Sequence, residues 1–339
     1  MIKYVFWNNK GGTGKTSLIF QMICSYANKH KDKKILAIDL CPQANLSDLF
    51  LGGLINEGAK KLEHLHSLDP RKSVAGYFQD RIASPFSYAK IETSKYICNP
   101  SEYNNSIPSN IDLLAGDHMV EIQSNAIATL SNTNLPGVNA WVSVTNWIND
   151  FINSTNNEYS TVFIDTNPSF SSYTQIAIAA ADRLILPVMP DDSSRRAVQN
   201  VFSLIHGVKL PSIYEQSAFS KRMEEAKKPL PKIHLIVKNR LTQYMGPASA
   251  YRAIFTAIDN DVKKLMSVNP NIFTFTNYEK EGVVEVRDFQ TTGVVAFAKG
   301  LPFDKTTTGK HVIFDREPQV DPKILQESKD AINSIVEKL

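Results

Sequence analysis

The sequence is poor in the residues that build metal and disulfide frameworks. Of its 339 residues only three are cysteine, Cys24, Cys41 and Cys98. They are odd in number, far apart and without a C-x-x-C pair, which leaves neither a zinc site nor a disulfide scaffold to expect. A reducing, cytoplasmic compartment is the natural one for such a chain. Long apolar runs are also missing: none approaches the ~20 residues that cross a bilayer. No charged and apolar leader precedes the first strand pattern, so no signal peptide is expected. Nor is there a dominant charge. Lysine and arginine number 37 against 34 acidic residues, a net +3. That mild balance permits contact with nucleic acid without arguing for it. With 42% hydrophobic and 21% charged residues, the composition is that of an ordinary globular protein.

The strongest signal is a glycine-rich loop, Lys10-Gly11-Gly12-Thr13-Gly14-Lys15-Thr16-Ser17. The apolar run Ile2–Trp7 precedes it. Leu18, Ile19, Met22, Ile23, Tyr26 and Ala27 follow at helical spacing. Strand, glycine loop and helix together make a phosphate cradle. The glycines let backbone N–H groups turn inward, and the helix presents its positive end to the anion. Lys15 then reaches the β/γ-phosphates of a nucleotide, and the Thr16 hydroxyl binds Mg2+. The general formula asks for glycine six residues before the final lysine. Here that place is Asn9, and a second lysine, Lys10, stands ahead of the glycines.

That variant resembles the deviant Walker A loop of the ParA/MinD family of ATPases. Further segments share the resemblance. Asp39-Leu40-Cys41-Pro42-Gln43-Ala44-Asn45 closes the apolar run Ile35–Ile38 and is similar to the family's D-x-D-P-Q-G/A-N motif. Its second acidic position is Cys41. In the family that aspartate orients or activates the attacking water, whereas a thiol is a weak, uncharged partner. Tyr159–Ile164 ends in Asp165 as a Walker B strand does. Thr166-Asn167-Pro168-Ser169 resembles the D-x-P-P-S switch, with Asn167 for the first proline. Ala181-Asp182 and Pro187, around the next strand pattern, fit as well. Asn239, after Ile233–Val237, resembles the adenine-contacting position of related switches. Val286–Gln290 and Gly300–Phe303 resemble a late segment near the nucleotide.

The resemblance implies an α/β fold of the SIMIBI P-loop type. It has a mainly parallel twisted sheet of about seven or eight strands, with helices on both faces. One domain is expected over residues 1–339, with an insertion-like segment around 51–110 and an extended C-terminal part over 209–339. The implied cofactors are ATP and Mg2+, the metal residues Thr16, Asp39 and Asp165, and the catalytic residues Lys10, Lys15, Asp39 and Cys41. Lys10 would reach the phosphates of a second copy, so ATP would close a homodimer. Non-specific DNA and a ParB-type protein are the implied partners, with no membrane, and the place of action is the cytoplasm or the nucleoid. The alternative is an ATP-dependent regulatory or assembly switch with slow hydrolysis. No cysteine after Asp165 suits an iron–sulfur cluster, and no tyrosine-rich tail of the bacterial tyrosine kinases is present.

Elsewhere the signals are local. Ser73–Phe78 can start a short helix. His64 and His66 read as surface residues without a metal framework. Ile111–Ala115 is a strand pattern. Trp141, Val144, Trp147, Ile148, Phe151 and Ile152 form a helical stripe that reads as core rather than as a base-stacking platform. Asp191 to Ser194 offer an N-cap to a helix with Arg195 and Arg196 in its first turn, where cations oppose the helix dipole and a partner anion is one explanation. Lys221, Arg222, Lys227, Lys228, Lys232 and Lys238 can form a phosphate-contacting face or a solvated loop. Gly246-Pro247 opens a helical pattern, Ile272–Phe275 reads as a last strand, and Asp321-Pro322 as the start of a final helix without the basic and aromatic anchors of a membrane tail.

Overall fold

In the computed structural model, residues 1–87, 91–208, 219–241 and 249–339 are described. Among the described residues eight strands form one sheet, in the order β3-β4-β2-β5-β1-β6-β7-β8. They are β1 (Ile2–Phe6), β2 (Ile35–Asp39), β3 (Ile97–Cys98), β4 (Ile111–Leu114), β5 (Thr161–Asp165), β6 (Arg183–Val188), β7 (Lys232–Leu241) and β8 (Val283–Arg287). The short edge strand β3 is antiparallel to β4, and the other pairs are parallel. β2 and β5 are buried along their whole length, which is why they read as unbroken apolar runs rather than alternating ones.

Helices cover both faces. On one lie α1 (Lys15–Lys29), α2 (Asn45–Leu51) and a C-terminal helix, Pro322–Val336. On the other lie α4 (Val74–Ala83), α5 (Met119–Ser131), α6 (Ala140–Thr145), α7 (Trp147–Asn153), α8 (Ser172–Ala180) and α9 (Asp192–His206). α3 spans Gly58–Ser67. Each core residue shut away this completely contributes roughly 1.5–3 kcal/mol. Trp147 and Phe151 are fully buried and Trp141 nearly so, as core packing requires. Their single stripe is nevertheless two helices, broken at Asn146.

Start signals are placed as read. The Ser73 side chain accepts from Gly76 N, Asp191 from Ser194 N, and Asp321 from Lys323 N and Ile324 N. Ile272–Phe275 is not a strand of the sheet. Pro270–Ile272 form a 3-10 turn and Phe273 makes one isolated bridge to Ile233, while β8 follows ten residues later. Apolar content there serves packing, since the rings of Phe273 and Phe275 pack against each other in the core at a tilt of 54°. β3, too short for a periodicity signal, precedes β4. Gly246-Pro247 lie outside the described residues. Among the described residues no helix is long and apolar enough to cross a membrane.

Candidate functional site

The strand order sets β2, β5 and β1 side by side, and their register pairs Phe6 with Asp165 and Asp165 with Asp39. Three carboxyl ends are therefore level, the usual place for a ligand in an open α/β sheet. The loop after β1 lies there. Gly12 and Gly14 both hold φ of 73°, a left-handed conformation that turns successive N–H groups to one side. Gly14 is also the N-cap of α1 and no side chain caps that end, so the first-turn N–H groups are left for a ligand. A phosphate suits this end on backbone geometry alone.

Lys15 is buried and its ammonium bonds Asp165 Oδ1 and the Thr166 carbonyl. Thr16 Oγ1 donates to Asp165 Oδ2 at 3.1 Å. Asp39 is shut from solvent beside them. Burial first, and the neighbouring Asp165 second, raise its carboxyl above the ordinary range. Two buried carboxylates facing one lysine leave a negative balance. If Lys15 moves to a phosphate, a divalent cation bound by Thr16, Asp165 and Asp39 restores the charge there. The donor set of a hydroxyl and two carboxylates suits Mg2+.

Cys41 is buried near the same charges, and burial, then Asp39 and Asp165, push its thiol up to about 12. It is a neutral thiol at any physiological pH and cannot act as a base. Its backbone N–H donates to Asp39 Oδ1 at 3.1 Å. Asn239 ends at the loop: its Nδ2 donates to the Thr13 carbonyl at 2.8 Å, and a Cβ on Gly14 would stand 2.6 Å from that nitrogen. Lys10 lies at the rim, a quarter exposed, paired with Asp191 at the head of α9. Against the upward push of burial, Lys10 and the Ser194 N–H hold Asp191 below its ordinary value.

Sequence reasoning missed several residues here. Ser47 holds Asp39, Asn9 ties the loop to Asn200 of α9 and to Pro168, and the Arg240 guanidinium approaches Gly14. Ser47 follows the Asp39–Asn45 motif by two residues, a proximity that was available as a signal. Asn200 and Arg240 are brought in by tertiary contact.

Other readings are corrected. His66 is not a surface residue: its Nε2 lies 2.9 Å from the Gly116 carbonyl, and Asp117 and His118 stand close enough to share a metal. Asp117, however, is bonded by Arg71, Ser73 and the Met119 N–H, which occupy both oxygens. Arg195 pairs with Asp261 and Arg196 with Asp192, so the first-turn cations of α9 have partners within the chain. Lys238 leaves the proposed basic face, being buried against Asp259 and Glu285. Pro187 is tolerated in β6 next to its end, where its carbonyl accepts from Asn8. Leu301 O and Phe303 N bond Gln21, behind the loop on α1.

A family model described as an AAA domain (AAA_31), ParA- and MinD-like, matches residues 2–216. The chain belongs to this family of ParA-like P-loop ATPases. The virulence plasmid ParA family protein pGP5-D of Chlamydia muridarum is 24% identical to this ParA-like chain over 207 residues, 61% of the chain and 62% of that protein. An uncharacterised protein of Methanocaldococcus jannaschii is 26% identical over 202 residues, 60% of the chain and 64% of that protein. The matched part thus spans less than two thirds of these curated relatives. Among solved structures, apo McdA from Cyanothece is similar with TM-score 0.60 at 15% identity, over 98% of both chains. The ATP complex of a point variant of Cyanothece McdA gives 0.59 at 15% identity, over 99% of this chain and 96% of that one. A putative plasmid partition protein from Borrelia burgdorferi B31 bound to AMPPNP gives 0.54 at 14% identity, over 100% and 99%. At these identities the likeness speaks for the fold.

Proposed function

We propose that the chain binds Mg-ATP in the loop of residues 10–17 and closes a sandwich of two copies around it. The observation that carries this reading is the division of labour between two lysines. Lys15 is buried and committed to the chain's own Asp165 and Thr166. Lys10 is held at the rim by a partly exposed aspartate. A loop serving only its own nucleotide needs one lysine. A second ammonium at the rim is free to exchange Asp191 for the phosphate of a facing copy. There it would stabilise the charge that develops during phosphoryl transfer. The family membership and the nucleotide complexes of two structural neighbours support ATP as the ligand and hydrolysis as the reaction.

ATP-bound dimers would then hold DNA non-specifically, and a ParB-type partner would trigger hydrolysis and release, so that DNA or another cargo is partitioned or positioned. Binding of the pure protein to random-sequence DNA is the test. ATP-dependent retention that weakens steeply with salt supports this reading, and its absence sinks it.

One observation favours a second reading. The buried, neutral thiol of Cys41 removes the carboxylate that would position the attacking water. Hydrolysis would then be slow, and the chain would act as an ATP-held switch on protein partners. ATP-dependent dimers that neither bind DNA nor turn over measurably would favour it.

A further inference from the structure

The carboxylate of Asp39 is clamped from behind. Its Oδ2 accepts from Ser47 N at 3.0 Å and from Ser47 Oγ at 2.8 Å. The same hydroxyl accepts from Gly116 N at 2.8 Å. A backbone N–H can only donate, so the single proton of Ser47 is left for Asp39 and the polarity of the chain is set. Ser47 and Asp39 are fully buried, so no water competes for these bonds.

Gly116 completes the clamp sterically. A Cβ there would stand 2.8 Å from Asp39 Cγ and Oδ2 and 2.9 Å from the Ala44 Cβ, contacts that real side chains do not make. Only hydrogen fits between the end of β4 and this carboxylate. The end of β4 is itself braced by the insertion-like segment. His66 Nε2 meets the Gly116 carbonyl at 2.9 Å, and Arg71 and Ser73 bond Asp117.

We propose that Ser47 is a positioning residue for Mg2+ binding, with Gly116 as its steric counterpart. The inference rests on the Mg-ATP reading above. Two donors from one residue fix Oδ2 and with it the rotamer of Asp39. Oδ1, which accepts the Cys41 N–H at 3.1 Å, is then the oxygen with a lone pair left for the ion or its waters. Removing the hydroxyl leaves Oδ2 with the Ser47 N–H as its one donor, which loosens the carboxylate, and leaves the Gly116 N–H without its acceptor. What is lost is the contribution of the ion, not the grip of the loop on phosphate.

The experiment is calorimetric titration of the full chain with ATP, in Mg2+ and again in excess EDTA. The wild type, Ser47→Ala, Ser47→Thr and Gly116→Ala are compared, each checked for a cooperative melt. The expected result is a tighter wild-type complex in Mg2+ than in EDTA. In Ser47→Ala the Mg2+-dependent gain should fall about tenfold, typical for loss of an outer-shell partner, with EDTA affinity unchanged. Ser47→Thr, which keeps the hydroxyl, should restore the gain. Gly116→Ala, which keeps Ser47, should lose it, and so carries the test if Ser47→Ala fails to fold. A full Mg2+ gain in Ser47→Ala overturns the role of Ser47 while leaving the ATP site standing. Absence of ATP binding by the wild type in either buffer overturns the Mg-ATP reading itself, and this inference with it.

Discussion

Cys41→Asp restores the acidic residue that the family motif has at this place, and its cost can be worked from the site. Burial, then Asp39 and Asp165, push the Cys41 thiol from 9.0 up to about 12. That displacement sets the penalty on an anion at this position at about 4 kcal/mol. An aspartate meets the same burial and the same neighbours, so its folded pKa should rise from about 3.9 to roughly 7. The sign follows from proton linkage. Between those values the folded state binds more protons than the unfolded one, so stability falls as pH rises. Above about pH 7 the whole ~4 kcal/mol is lost, and below about pH 4 the variant has no penalty. Cys41→Ser is the neutral control; an anion at position 41 also raises the neighbouring Asp39 further, so the gap between the two variants reads the coupled carboxyl groups together. Urea unfolding from pH 4 to 8 should show the gap opening with pH. Saturating Mg-ATP should narrow it, because a divalent cation supplies the charge that the third carboxylate needs. Turnover should rise above wild type if position 41 faces the attacking water. Equal urea midpoints for the two variants at pH 8 would refute the electrostatic reasoning, whatever the turnover.

The remaining expectations use the same charges. Lys15→Ala should abolish ATP binding, read by calorimetry, and should also strand Asp165 as an unpaired buried carboxylate at a cost of about 3–5 kcal/mol. Adding Asp165→Asn should recover most of that stability in urea without recovering ATP binding; a stable single variant that still hydrolyses ATP would show that the loop is not the site. Asp191→Asn keeps a good N-cap for α9 while releasing Lys10. Because the pair is partly exposed, its loss is worth no more than about 1 kcal/mol per copy; each dimer releases two, which is about 2 kcal/mol or up to about thirtyfold in the ATP-dependent dimer constant. Sedimentation velocity at graded protein concentrations reads that shift, and weaker dimers would contradict the release of Lys10.

Much of the site was legible because short-range rules act on contiguous residues. Lys10 to Ser17 carry their own geometry, since glycines and a helix start make a phosphate cradle whatever surrounds them. Asp39 and Asp165 were recognisable as strand-end acids, although they lie over a hundred residues apart, because each closes an unbroken buried run. The failures have physical causes too. Ile272–Phe275 has strand-like apolar content, but its rings fill the core just after a 3-10 turn, with one isolated bridge in place of a ladder. His66 read as a surface residue because no carboxylate or cysteine framework stands near it in sequence, yet it turns toward the end of β4. Lys238 looked like part of a basic face, although Asp259 and Glu285, which neutralise it, lie 21 and 47 residues further along the chain.

By itself the sequence determined the cradle, the buried parallel strands and the acids at their ends. Those follow from periodicity, glycine placement and local capping, which need no distant partner. Tertiary structure alone decided the charge state of the site. The order β2-β5-β1 sets Asp39 beside Asp165 and brings Lys15 to one of them. It also places Ser47 and Gly116 behind Asp39, and Asp191 in front of Lys10. Electrostatics and packing depend on distances in space, and only the folded sheet sets those distances.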